Sequence, residues 1–395
     1  MSKLRGALIG CGRIGIKKHV EAFAANYELV DLVAVCDLVK EKAEKAAHKY
    51  RERRGLYVVG GTQDKDFNGS NNQHKMFENG LRTTNNEQRT TFPEIYQDYS
   101  SLLNSDIDFV VIATESGYHY KNTIDFLNAG KHVLVEKPMA LSTDEMDEMI
   151  KLAKEKNLKL GVCFQNRFNP PIQELRKEVD NNSFGKIFHI TARILWNRNK
   201  NYYKQAPWRG SWEIDGGTLM NQCSHNIDLL QWTIDSEVEE LYAITRNFNH
   251  DYIEAEDFGT AILEFRNGSV GIIEGTANIY PRNLKETLTV SGEKGTVVIG
   301  GLAVNRIQTW RFNGIEDHPF MNLPDPETVY GNGHVPLLKD FAKAIIEDRD
   351  PYITGEEGRK TVDIILGMYK STKEKKPVKF PLESFGTKEM EGTQI

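Results

Sequence analysis

Apolar positions fall first in short unbroken runs separated by amphipathic stretches, and further along the chain they alternate with polar ones. Leu4, Ala7, Leu8 and Ile9 lead straight into Gly10-Cys11-Gly12-Arg13-Ile14-Gly15, after which Ile16, Val20, Phe23 and Ala24 recur at helical spacing. The pattern predicts strand, glycine turn and helix. Further apolar runs at 29–36, 107–113, 132–135 and 158–164 alternate with helical segments at 40–54 and 120–129. Another helix opens on the capping-box sequence Ser142-Thr143-Asp144-Glu145. This is the rhythm of a doubly wound parallel sheet. Asn169-Pro170-Pro171 marks the crossing out of that domain. Beyond it, strand-like segments at 187–195, 238–245, 258–265, 269–277, 287–291, 296–299 and 307–312, with a hairpin turn at Asn267-Gly268, predict a mostly antiparallel sheet. One helix interrupts it at 217–234, with Leu219, Met220, Cys223, Ile227, Leu230 and Ile234 on its apolar face. Asn221 and His225, four apart, share a face of that helix. Helices at 334–347 and 356–372 close the second domain.

The fold class is therefore α/β, with a dinucleotide-binding domain at 1–168 and a second, α+β domain at 169–380. The polar segment 381–395 reads as a flexible tail. Residues 60–91 are crowded with Asn, Gln, Gly and Thr and have few apolar anchors, so they read as a surface insertion, either a lid or a mobile loop. A chain of 395 residues suits two domains of this kind.

The first candidate chemistry lies in the glycine turn. Gly10 gives the backbone the freedom to turn from strand to helix, Gly12 leaves room for a pyrophosphate on the helix N-terminus, and Gly15 lets helix and strand pack closely. Asp37 ends the next strand, about 20 residues on, where an acid grips a ribose hydroxyl. Together they predict NAD as cofactor. Ligands of such sheets sit at the carboxyl ends of the strands, which brings in Thr114, Ser116 and His119, then Glu136-Lys137-Pro138, then Gln165-Asn166-Arg167. His119 could equally begin the following helix without touching a ligand.

A net charge of −6 argues against nucleic acid or an anionic membrane surface as the main partner. The four cysteines have no metal-ligand spacing, which is the usage expected of reduced thiols in a cytoplasmic protein, and no metal site is expected. No signal peptide or membrane-spanning segment is expected either. Against this acidic background, no acid occurs between Asp180 and Glu213. Lys186, Arg193, Arg198, Lys200, Lys204 and Arg209 fall there among Trp196, Tyr202, Tyr203 and Trp208. Such a run fits a pocket for an anionic ligand carrying a ring, the alternative being a solvated loop with half-buried aromatics.

The glycine turn, Glu136-Lys137-Pro138 and Gly216-Gly217 followed by His225 together resemble the glucose-fructose oxidoreductase and inositol dehydrogenase (Gfo/Idh/MocA) family. The resemblance implies a Rossmann domain, a second domain with an open-faced sheet, a nicotinamide cofactor between them, and a homo-oligomer, dimer or tetramer, that buries the open face. It also implies that Lys137 is the catalytic lysine and His225 the general acid/base. Many members carry an aspartate one turn before the histidine; this chain has Asn221, whose amide can orient His225 but not raise its basicity. The segment from Trp208 to His225 is most similar to the branch acting on nucleotide sugars, notably the UDP-N-acetylglucosaminuronate 3-dehydrogenases.

The expected activity is NAD-dependent oxidation of a sugar secondary alcohol, on an anionic, nucleotide-linked substrate. The rivals are a free-sugar or inositol dehydrogenase and a cofactor-sensing regulator without turnover, which would have no need of Lys137 and His225 together. For the cofactor the candidates are Gly10, Gly12, Arg13, Ile14, Gly15, Asp37, Thr114, Ser116, His119, Glu136, Lys137, Gln165, Trp208 and Arg209. For the substrate they are Arg167, Arg193, Arg198, Tyr203, Asn221 and His225, and the catalytic set is Lys137, His225 and Asn221.

Overall fold

The computed structural model describes residues 3–55, 92–312, 314, 317–326, 329 and 331–395. The insertion expected at 60–91 lies outside the described residues. Six strands, β1 (Leu4–Ile9), β2 (Val30–Cys36), β3 (Glu94–Tyr96), β4 (Phe109–Ile112), β5 (His132–Val135) and β6 (Leu160–Val162), form an all-parallel sheet in the order β3-β2-β1-β4-β5-β6. The strand order reverses between β1 and β4, which opens a crevice at their carboxyl ends. Helices α1 (Val20–Ala25), α2 (Lys40–Arg53), α3 (His119–Asn128) and α4 (Thr143–Glu155) belong to this unit. The Ser142 side chain caps α4 by accepting from the Glu145 amide.

Pro170 and Pro171 do not simply end the domain. They occupy the first positions of α5 (Pro170–Asp180), where a missing N–H costs nothing because it would have no partner in the helix. The chain then enters an eight-stranded sheet of β7 (Ile187–Leu195), β8 (Val238–Arg246), β9 (Phe258–Phe265), β10 (Val270–Thr276), β11 (Lys285–Gly292), β12 (Gly295–Gly300), β13 (Arg306–Phe312) and β14 (Val378–Lys379). All its described pairs are antiparallel except β7 with β10. A short helix, α6 (Lys200–Tyr203), and then α7 (Ser224–Ile234) follow β7. The helix expected at 217–234 starts at Leu219 with one widened turn and continues as α7.

One face of this sheet is covered. Ile190, Ala192 and Ile194 of β7 are fully buried, and Gly275 of β10 allows Cys223 to sit directly on the strands, since a Cβ there would lie 2.6 Å from its Sγ. The other face is open and carries Tyr242, Ile262 and Ile272, all exposed. Two helices, α8 (His334–Ile346) and α9 (Gly355–Glu374), return to the first unit. Phe341 of α8 meets Phe109 of β4 at 5.9 Å between ring centroids, and Phe23 of α1 stacks on the same ring at 5.8 Å. Burying each such ring contributes roughly 1.5–3 kcal/mol.

The expectation of a flexible tail at 381–395 is corrected. After β14 pairs with β8, Leu382, Phe385 and Met390 are buried and the segment docks back on the first unit. There the Thr143 amide donates to Phe385 O at 3.0 Å and the Thr387 amide to Leu141 O at 3.0 Å. Apolar anchors among polar neighbours, with partners some 240 positions away, leave no local period to read.

Candidate active site

Gly10 has φ +94°, and a Cβ on it would lie 2.4 Å from the backbone of Ala113, so no other residue fits between β1 and β4. A Cβ on Gly12 would meet nothing within 4 Å: open space above the helix start, where a pyrophosphate can approach the backbone. Gly15 packs directly against the Gly10 carbonyl. Asp37 stands beside this turn, its carboxylate accepting from the amides of Cys11 and Val39, both at 2.9 Å. Each oxygen keeps a lone pair for a ribose hydroxyl. The residues present therefore fit a dinucleotide. Asp37 would repel a 2′-phosphate, and the exposed Leu38 and Val39 offer no cation, so NADP is expected to bind about tenfold or more weakly than NAD. Calorimetric titration decides this: equal or tighter NADP binding would refute it.

Two of the residues assigned to the cofactor serve the frame instead. Glu136 turns inward, 6 % exposed, and takes a 2.7 Å hydrogen bond from His19 of the glycine-turn helix, with His334 of α8 at 3.6 Å. Burial alone would raise its pKa, but the two rings hold the carboxyl well below its ordinary range. His119 is buried with its ring nitrogens against Pro138 O (2.7 Å) and Thr114 O (3.1 Å), so it ties the loops after β4 and β5 together. Thr114 bonds Asn122, and the loop carrying Ser116 reaches the second unit through the Gly117 amide to Ile214 O at 2.8 Å. Arg13 reaches Gln205 across the same gap.

The structure brings Lys137, Asn221, His225 and Gln165 together. Lys137 Nζ donates to Asn221 O at 2.7 Å, and Gln165 Nε2 lies 3.2 Å from His225 Nε2, leaving His225 Nδ1 without a partner among the described residues. Burial, then the Lys137 charge, push the His225 pKa well below its ordinary value, so the imidazole is neutral and able to accept a proton. Burial also lowers Lys137, against the attraction of Glu136 and Asp215. Beside them Tyr202, Tyr203, Asp215, Asn221 and Gln222 bound a small cleft open to solvent.

Arg198 and Arg209 each bond a residue of the cleft's lining, Gln222 and the Tyr202 carbonyl respectively. Arg198 Nε donates to Gln222 Oε1 at 2.8 Å, and its guanidinium lies 4.6 Å from the Trp196 ring centroid. Arg209 lies 5.6 Å from the ring of half-buried Trp208.

Two arginines do not belong. Arg193 alternates with the buried Ala192 and Ile194, so strand parity puts it on the open face, where it pairs with Glu274 at 2.6 Å. Arg167 is 1 % exposed and is held by Asp228 at 2.8 and 2.6 Å and by Glu357 at 2.9 Å. It is a structural ion, not a substrate contact.

Sequence reasoning missed Asp215, buried at 3 %, whose Oδ1 accepts from the Asn221 side chain and whose Oδ2 accepts from the Gly210 amide at 2.7 Å. Its only signal was its place before Gly216-Gly217, since six positions match no helical repeat. It also missed Gln222, which links Arg198, Asn221 and the Tyr202 hydroxyl.

Residues 70–164 match the oxidoreductase family with an NAD-binding Rossmann fold, and residues 172–298 match the GFO/IDH/MocA C-terminal domain. The crystal structure of the WlbA dehydrogenase from Bordetella pertussis, in complex with NADH and UDP-GlcNAcA, superposes with a TM-score of 0.77 at 33% identity, covering 97% of this chain and 100% of that one. Myo-inositol 2-dehydrogenase of Thermotoga maritima is 25% identical over 72% of this chain and 83% of its own length. For scyllo-inositol 2-dehydrogenase (NAD(+)) of Bacillus subtilis the identity is 22%, over 96% of this chain and 97% of its own. No helix among the described residues is long and apolar enough to cross a membrane. With an NAD-binding sheet, a lysine and a histidine at its carboxyl edge, and a dehydrogenase structure matching over 97% of its length, the chain belongs to the GFO/IDH/MocA family of NAD-dependent oxidoreductases acting on sugar and polyol hydroxyls.

Proposed function

We propose that the protein oxidises a secondary alcohol of a nucleotide-linked uronic acid, at C3 of UDP-N-acetylglucosaminuronate, with NAD. The observation that carries this is the pair Arg198 and Arg209. Their guanidinium groups lie over the Tyr202 ring at 5.3 and 4.3 Å, and the Tyr202 hydroxyl accepts from Gln222, the neighbour of Asn221. Planar, permanently charged forks against an aromatic wall suit a diphosphate or carboxylate attached to a ring; a neutral polyol gains little from them. Similarity to WlbA at 33% identity supports the same substrate class.

When bound, the nicotinamide supplies the hydride acceptor. The hydroxyl proton passes to His225, which burial keeps neutral, as the C–H bond breaks. The Lys137 ammonium, fixed by the Asn221 carbonyl, stabilises the alkoxide that develops. The inositol dehydrogenases among the relatives support a second reading, turnover of a free polyol.

A panel of UDP-sugars, free hexoses and inositols with NAD separates the two. The UDP-hexuronate is expected to give a kcat/KM at least about tenfold above any neutral substrate, since one charge-assisted hydrogen bond is worth ~1.5–3 kcal/mol. Arg198→Ala should raise its KM, as should added salt. A higher kcat/KM with a neutral free sugar or inositol would overturn the nucleotide-sugar reading.

A further inference from the structure

Asn221 stands one helical turn before His225 and cannot carry a charge, yet it is bonded on every side. Its Oδ1 accepts from Gln222 Nε2 at 2.6 Å, which fixes the amide so that Nδ2 faces Asp215. Its backbone oxygen receives Lys137 Nζ at 2.7 Å. Asp215 reaches this point from outside the helix, because Gly216 with φ +71° turns the chain back and the Gly210 amide pins Oδ2.

We propose that Asp215 is a positioning residue for Lys137, a carboxylate supplied from the preceding loop that locks Asn221 and holds the lysine as an ammonium. This rests on the reading that Lys137 stabilises the alkoxide in the hydride step.

The surroundings fit the assignment. The charged and titratable groups that face Asp215 are Lys137 from the loop after β5, Arg209 from its own loop, Tyr203 from α6 and Glu256 from the entry to β9. Burial pushes Glu256 up to about 8, so it is neutral at pH 7. Burial raises Asp215 too, but only to about 6, because the Gly210 amide, Asn221 and the Lys137 and Arg209 charges oppose it. At pH 7 and above it is therefore ionised beside Lys137. Together with Glu136 it attracts the ammonium that burial disfavours, with Cys223 a weaker support and Arg198 opposed. Removing one opposite charge from a buried lysine lowers its pKa, and activity then fails at a lower pH on the alkaline side.

Asp215→Asn removes the charge and keeps the shape, and the double variant Asp215→Asn/Asn221→Asp moves the charge onto the helix. The readout is the pH profile of kcat with NAD and whichever of UDP-N-acetylglucosaminuronate or myo-inositol the wild type turns over. Asp215→Asn is expected to shift the alkaline limb down by about one pH unit, so that kcat falls by up to about tenfold at pH values above both limbs and is unchanged well below them, with KM for NAD unchanged. The double variant is expected to bring the limb back toward the wild-type position. An unmoved limb in Asp215→Asn, or a double variant no better than the single one, overturns the inference. Should Asp215→Asn fail to fold, the double variant decides alone: a wild-type limb supports the role and a lowered limb refutes it. Lys137→Ala run alongside separates the two layers. If it keeps turnover and the same limb, the role of Lys137 itself is wrong; if it abolishes turnover while Asp215→Asn leaves the limb in place, only the role of Asp215 is.

Discussion

Replacing Lys137 or His225 with alanine is expected to lower kcat by about 100-fold or more while NAD affinity changes by less than about twofold. Both side chains sit at the carboxyl edge of the NAD-binding sheet, yet neither is part of the glycine turn or of the Asp37 contact that would hold the dinucleotide. The loss should therefore fall on the chemical step. The pH profile carries a second check. The His225 pKa is pushed well below its ordinary value, so its neutral, proton-accepting form persists as pH falls, and kcat/KM should show no acid limb in the usual histidine range. Lys137 is lowered too, so the alkaline limb should begin below the ordinary range of a lysine. Near-normal kcat in either alanine variant, or an acid limb near the pKa of a free histidine that persists in Asp215→Asn, would show that these residues do other work.

The second large effect concerns stability. Asp228→Ala is expected to cost about 3–5 kcal/mol, because it strands the Arg167 guanidinium, 1 % exposed, without its bidentate partner. Glu357 still touches Arg167 but is itself partly exposed, and Thr361 loses the carboxylate it donates to. Arg266 and Glu237 form a matched control, since both are more than half exposed and removing either should change stability by less than about 1 kcal/mol. Chemical denaturation of the two alanine variants measures both. A loss below about 1 kcal/mol for Asp228→Ala would mean that water or a local rearrangement satisfies Arg167.

The contrast between these arginines shows what was legible in the sequence. The glycine turn, Asp37, and strands such as β7 and β9 could be read because each depends on neighbours in the chain: a turn, a spacing, an alternation. Lys137 and His225 were found through motifs whose positions at a strand end and on a helix carry chemical meaning. Arg167 and Arg193 were misplaced for two different reasons. A charged residue in a loop-like stretch looks solvent-facing until Asp228 and Glu357, far along the chain, enclose it. Arg193 shares its composition with the pocket arginines, and only the pleat of β7 tells its face from theirs. Asp215 meets Asn221 through a reversal at Gly216, which no repeat length encodes.

The return of α8 to the first sheet has a consequence for how the protein is made. Asn26 at the end of α1 donates to Val335 O, Lys18 to Gly331 O, and Phe341 closes over Phe109. All of these partners are synthesised long after the sheet they complete. Translation delivers β1 to β6 with α1 and α2 covering part of one apolar face and the part under α8 still bare, so the nucleotide-binding half emerges from the ribosome as an unfinished layer. It is completed only when the far end of the chain arrives, and in the interval the strip of Phe109 and Gly161 that Phe341 will cover is a surface for chaperones to shield.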